Sequence, residues 1–278
     1  MRTTLFICMI IVAATLGVAC NAVADTIGYY RFEETPLGHH ATWAEDGGGA
    51  VGTSSSDTVV NVADVFGSPV PRTGAANDAS LDLPGTPGVV DCGDNYDIGT
   101  GDFTVEFFIK GVDDNLLGTP MAKGQTDGVP SAQWMFFTRD NKPSNGMLFE
   151  VRALDSSVRA YVDGTILAMD NQWHHVAGVV DRTAEEIRLY IDGNLDGSAS
   201  MSAFNSDDID NDGPLIMGAR YVGDHIFGNY SPDLLDEIRI SNAALSPDEF
   251  LTAPIPEPSS VVLLALGTVS LLVLRRRR

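Results

Sequence analysis

The chain has 278 residues, with 38 Asp+Glu against 17 Lys+Arg and a formal charge of −21. Five of the basic groups lie at the ends, Arg2 and Arg275 to Arg278, so with Glu257 also set aside the body holds 12 basic and 37 acidic residues. Such a surface excludes a nucleic-acid partner and repels anionic lipid, because phosphate binding needs clustered Lys and Arg; its counter-ions are cations.

Residues 1–24 combine Arg2, an apolar run from Leu5 to Val18 and small residues at Ala22 and Ala24. This is the layout of a secretory signal peptide cleaved after Ala22-Val23-Ala24. A lipoprotein signal at Cys20 is the rival, and Gly17 stands three before it where leucine is usual. Removing the segment takes Cys8 and Cys20 with it, so Cys92 is left without an internal disulfide partner. The body, 25–253, must then rest on its own core, which its length can supply. Cys92 reads as a small buried hydrophobe.

Thr26 to Phe32 is a short strand, ended by Glu33-Glu34 and Pro36. Residues 37–77 follow as a long Gly-, Ala- and Ser-rich loop, unusual inside a compact domain, with an edge strand over Thr58–Phe66. His39, His40 and Trp43 lie here, and an exposed aromatic beside His can stack on a sugar ring; His39 and Trp43 are therefore the candidate ligand contacts, against the alternative of a loop anchor packed on a sheet. Ala79–Leu83 and Val89–Cys92 are short strands around a Pro/Gly turn. In Asp102–Lys110, Phe103, Val105, Phe107 and Ile109 fall on one face and Thr104, Glu106, Phe108 and Lys110 on the other, so the first set is the core face. Strands follow at Gln133–Arg139, Met147–Ala153, Val158–Val162 and Thr165–Met169, the last two joined through Asp163-Gly164.

The centre is Gln172–Gly193, QWHHVAGVVDRTAEEIRLYIDG. Two β-branched and aromatic runs, Trp173–Asp181 and Glu186–Ile191, flank a polar connection, and the second ends in Asp192-Gly193, a dipeptide suited to positive φ. Asn194–Ala199 pairs back, and Leu215–Ala219 and Leu234–Ile240 supply the last strands. Ser246-Pro247-Asp248-Glu249 opens a brief helix with a capping box. Many short strands with almost no helix predict an all-β, two-sheet sandwich.

Taken in order, YYRFEE, SLDLPGTPGVVDCGDNYDIGTGDFTVEFFIKG, the central hairpin and LLDEIRISNAALSPDEF resemble a laminin-G-like, concanavalin A-like jelly roll over residues 26–252. The resemblance implies two curved antiparallel sheets and, in many relatives, carbohydrate or protein binding. It does not fix one ligand, because function sits in loops carried by such a fold.

The tail 254–278 joins Pro256-Glu257-Pro258, an uncharged run from Ser259 to Leu274 and four arginines. Sixteen helical residues span about 24 Å, short of the roughly 30 Å hydrocarbon core, and arginine snorkelling makes up part of the gap. The three parts resemble a PEP-CTERM sorting signal. The resemblance implies a bacterium with an exosortase-type sorting enzyme as partner, a transmembrane helix holding the acidic body outside, and delivery to the cell envelope or extracellular matrix.

Asp208-Ile209-Asp210-Asn211-Asp212-Gly213 matches the first half of a calcium loop. The twelfth position is Ala219, so Asp208, Asp210 and Asp212 need further ligands. Asp236 alternates with Leu234, Ile238 and Ile240, which places its carboxylate on the inner face of a strand, where a buried acid needs a partner. One structural calcium ion at Asp236 or at the 208–212 loop is one answer; a backbone amide or an arginine is the other. His174 and His175 lie in mid-strand and read as core or strand-pairing residues. No Gly-x-Ser-x-Gly or His-Glu-x-x-His appears, and Asp233, Asp236 and Glu237 lack the phase of a retaining glycosidase pair. No catalytic residue is expected. The functional expectation is a non-catalytic binding module for extracellular polysaccharide, with a structural surface protein or a glycoside hydrolase as the alternatives.

Overall fold

Phe103, Val105, Phe107 and Ile109 alternate along the strand Phe103–Lys110 and all four are buried in the main core. The structure, a computed structural model, describes residues 25–254 apart from 86–87, 113–116, 125–132, 139–145, 155–157, 211, 223–225, 229–230 and 232. Two antiparallel sheets face each other. In the first, the order is Asn194–Ser200, Glu186–Ile191, His174–Asp181, Phe103–Lys110, Leu234–Ser241, Ser80–Asp82, Val60–Val62 and Gly38–His39, with Thr26–Tyr30 also paired to Leu234–Ser241. The second runs Arg159–Asp163, Met147–Arg152, Gln133–Thr138, Met121–Lys123, Leu215–Met217, Val90–Asp91, Gly52–Ser54 and Thr42–Trp43. A separate ribbon pairs Arg220–Val222 with Ile226–Gly228.

The expected central hairpin forms, with Val176 opposite Ile191 and Asp181 opposite Glu186. Its inner face meets the second sheet at Phe136, whose ring lies edge-on to Phe107 at 5.0 Å. The 3-10 turn Pro247–Glu249 is the only helical element among the described residues, and Glu249 closes it by accepting a hydrogen bond from Ser246 N at 3.0 Å. No described helix is long and apolar enough to cross a membrane. The expected signal peptide and the tail from 255 onward, with Pro256, Glu257 and Pro258, lie outside the described residues.

Three expectations change. Alternation in Phe103–Lys110 predicted one wet face, yet Thr104, Glu106 and Phe108 are buried as well. The segment after the last strand covers them: Thr104 Oγ1 donates to Ala243 O at 2.7 Å, and Leu251 N donates to Glu106 at 2.8 Å. Second, the 37–77 stretch is not one loop. Its short strands join both sheets, and Val60–Val62 pairs on both sides, so it is no edge. Third, Thr165–Met169 forms no strand. The Asp196 carboxylate takes the Thr165 and Ile166 amides instead, leaving Arg159–Asp163 at the rim of the second sheet.

Candidate functional site

His39 and Trp43 do not make a joint surface, because the two fall in different sheets. Trp43 is fully buried, its ring edge-on to Phe32 and its Nε1 donating to Ser54 Oγ at 2.7 Å. An indole satisfied inside a core offers no face to a sugar, so Trp43 is a loop anchor. His39 remains partly open, with Nδ1 3.0 Å from Val59 O and Nε2 3.5 Å from Asp57.

In the 208–212 loop Asp208 and Asp212 are exposed. Asp208 Oδ1 accepts from the Asp210 amide at 2.9 Å, a local turn contact, and Ile209 is the buried member. No three His, Cys, Asp or Glu side chains among the described residues come together as a metal-ligand group.

Asp236 is buried, but not on the inner face. The register of Leu234–Ser241 against Phe103–Lys110 shifts between Asp236 and Arg239, and Glu237 takes a φ of 48°. This bulge turns two successive side chains away from the core, as bulges re-aim residues. Leu235 and Ile238 stay in the core, whereas Asp236 pairs with Phe108 of the outer layer. The bulge has a cause in topology. One edge of the strand pairs with Ser80–Asp82 at Leu234-Leu235 and with Thr26–Tyr30 from Ile238 onward, so the partner changes there.

Asp236 Oδ2 accepts from Asn77 Nδ2 at 2.8 Å, while Asp236 Oδ1 and Asn77 Oδ1 are buried without hydrogen-bond partners among the described residues. Burial pushes the Asp236 carboxyl up to about 8, against the pull of Asn77 and with Glu237 adding to the rise. Glu237 is committed elsewhere: Arg31 Nε donates to it at 3.0 Å and the Tyr29 hydroxyl donates to its other oxygen. Its carboxyl is also raised, by burial first.

Both expected strand histidines pair with carboxylates, His174 from the first position of its strand and His175 from the second. His175 Nε2 donates to Glu106 at 2.7 Å with both side chains fully buried, and Arg239 Nε donates to the other Glu106 oxygen at 2.7 Å. His174 bridges Asp192 at 2.8 Å and Asp170 at 3.1 Å. Cys92 is buried, and that burial raises its thiol to about 12.

One group of residues went unread in the sequence. On the outer face of the second sheet, Leu117, Phe137 and Leu148 form an apolar base, and Glu150, Arg152, Arg159 and Arg220 surround it, enclosing ≈ 280 Å³. Period-two geometry brings them there. Tyr161 lies opposite Glu150, which lies opposite Met135, while Arg159 pairs with Arg152 and Phe137 with Leu148. Glu150 Oε1 takes Arg152 Nε, and Glu150 Oε2 takes Arg159 at 2.8 Å. Tyr161 is 46% exposed, with the Arg159 guanidinium 5.2 Å from its ring centre. The available signal was scarcity: three of the body's few basic residues project from one surface.

The family model described as concanavalin A-like lectin/glucanases superfamily matches residues 84–250, and the PEP-CTERM protein-sorting motif matches 254–278. No curated protein matches the chain. Among solved structures, domain 4 of AbnA, an extracellular arabinanase from Geobacillus stearothermophilus in complex with arabinotriose, is 18% identical. It covers 82% of this chain and 97% of its own, with a TM-score of 0.56. The botulinum neurotoxin type G receptor binding domain is 13% identical over 82% of this chain, with a TM-score of 0.54, and the match spans 50% of the toxin chain. These likenesses concern the fold. The paired antiparallel sheets and a family match over more than half of the residues agree, and the chain belongs to the concanavalin A-like lectin/glucanases superfamily.

Proposed function

We propose that this protein is a non-catalytic polysaccharide-binding module, exported and delivered to the surface of a bacterium by an exosortase-type enzyme that reads Pro256-Glu257-Pro258. The observation that carries the reading is the pocket on the second sheet, where an apolar base is ringed by guanidinium groups on an otherwise acidic molecule. Apolar and aromatic surface meets the C–H faces of a sugar, and fixed polar groups meet its hydroxyls.

A non-catalytic role is supported by the state of the carboxylates. Asp233, Asp236 and Glu237 are all buried, and Glu237 is tied to Arg31 and Tyr29. Glycoside hydrolysis needs two carboxyl groups reachable by the substrate. One structural calcium ion is part of the proposal. The orphaned oxygens of Asp236 and Asn77 fit a hard cation that prefers oxygen ligands, and the ion's contribution there is to hold the Asp236 bulge against the 64–77 segment.

The test is a glycan array probed with the full-length protein, with and without calcium. Retention of at least one polysaccharide is the expected result. A blank array in both conditions overturns the reading in favour of a structural surface protein. Release of reducing sugar that disappears in Glu237→Gln overturns the non-catalytic part.

A further inference from the structure

We infer that the second-sheet pocket selects an acidic saccharide, a sugar ring carrying a carboxylate, and that Arg220 makes the selecting contact; this rests on the polysaccharide-binding reading above. Arg220 is half-buried, and among the described residues its Nε is buried with no hydrogen-bond partner and no acidic side chain pairs with it. Leaving a buried donor unmatched costs about 1–3 kcal/mol. The absence of a partner is not for want of acids, since the chain carries 38 of them.

Nor does the neighbouring carboxylate fill the need. Glu150 is 3% exposed and gives one oxygen to Arg152 and the other to Arg159. It therefore fixes two guanidinium groups in place and gives none of its oxygens to Arg220. The lining holds three arginines against one acid; Asp163 lies on the same face but outside that lining, opposite Leu148. An incoming carboxylate matches the planar fork of a guanidinium with two parallel hydrogen bonds. The remainder of a pyranose ring then has Leu117, Phe137 and Leu148 beneath it, and the exposed Tyr161 lies on the same face beyond the lining, opposite Glu150.

Bulk electrostatics act against such a ligand. A molecule of net charge −21 repels a polyanion at long range. Attraction must come from the pocket itself, at contact distance, and it is specific to the carboxylate.

The experiment measures binding of the full-length protein to polygalacturonate, to the same polymer with its carboxylates methyl-esterified, and to dextran sulfate. Polygalacturonate should bind at least about tenfold more tightly than either of the others, a difference of about 1.4 kcal/mol. Arg220→Gln should remove most of that preference without lowering the melting temperature, and Arg159→Gln should reduce it independently. Arg188→Gln, at a guanidinium paired with Asp181 and Glu186 on the first sheet, should leave it intact. Equal binding of the acid and esterified polymers, equal binding of dextran sulfate, or an Arg220→Gln protein with unchanged preference overturns the inference and leaves the polysaccharide-binding reading standing. Failure to bind all three polymers overturns the inference, and only a blank glycan array overturns both.

Discussion

Asn77 Nδ2 donates to Asp236 Oδ2 at 2.8 Å, while Asn77 Oδ1 and Asp236 Oδ1 are buried with no hydrogen-bond partner among the described residues. Both of these atoms are acceptors, and the only further pull on the Asp236 carboxylate among the described residues besides Asn77 is the Glu237 amide. Such an arrangement is stable either with a proton on Asp236 or with a cation between the oxygens. Burial raises the Asp236 carboxyl from 3.8 to about 8. A folded pKa above the unfolded one means stability that is full below about pH 4 and is lost as pH rises towards about 8. In chelator, the melting temperature should therefore fall across that window. Asp236→Asn should flatten the fall and exceed the parent at its alkaline end. Calcium at a hundredfold excess over its dissociation constant should raise the parent by about 5–10 °C and leave the variant unmoved. A parent protein whose melting temperature ignores both chelator and calcium removes the ion from the proposal.

Glu106 faces the opposite situation, since every neighbour is a donor. Burial on its own would raise its carboxyl, but the His175 hydrogen bond and the Arg239 charge outweigh it and hold the group below its ordinary range. This contribution is present above the unfolded pKa and lost as pH falls through the folded one. Glu106→Gln leaves Arg239 and His175 without their anion, and breaking a buried pair in this way costs about 3–5 kcal/mol. Urea denaturation at neutral pH should show that loss, and the variant should have a shallower acid limb than the parent. A change below about 1 kcal/mol would mean that the His175–Glu106–Arg239 set is dispensable.

His174 links the start of its strand to the turn at Asp192. Burial lowers its pKa, but Asp192 first and Asp170 second raise it more, so the net shift is upward. The stability it supplies is full below its unfolded pKa near 6.5 and disappears as pH climbs through the folded value. His174→Gln should cost about 0.5–1 kcal/mol at acidic pH and nothing at alkaline pH. The proton titration of the ring by NMR checks the direction: a midpoint below the ordinary histidine value would contradict the pairing.

What could be read in the sequence was whatever depended on period and turn chemistry. Strands such as Phe103–Lys110 and Glu186–Ile191 announce themselves by alternation and by Asp192-Gly193. The second layer over Phe108 did not, because Phe66 and Val70 reach it from forty residues away and no local pattern encodes that contact. The same holds for Asp236. A perfect strand would have put it with Ile238 on the inner face, and only the change of pairing partner along Leu234–Ser241 introduces the bulge. The basic pocket shows the limit for function: Arg152, Arg159 and Arg220 belong to three separate strands. Their proximity comes from strand order for Arg152 and Arg159 and from the separate ribbon for Arg220, and a charge count along the chain does not reveal it.

Gly178 sits where the two sheets press together. It lies in His174–Asp181 between Val176 and Val180, on the face that meets the second sheet. A Cβ added there would stand 2.6 Å from Phe136 Cζ and 2.8 Å from Phe149 Cε2, closer than carbon atoms tolerate. Those two rings stack on each other at 4.8 Å, and Phe136 also abuts Phe107, so neither is free to swing aside. The glycine is thus the gap that lets aromatic side chains of one sheet press against the backbone of the other. Its cost in strand propensity is offset by the close approach. Gly178→Ala should destabilise the protein by about 1–3 kcal/mol through overpacking, although alanine is the better strand residue in isolation. Pairing it with Phe136→Leu should restore part of the loss in a double-mutant cycle. Strict additivity of the two changes would show that the rings and the glycine do not share this space.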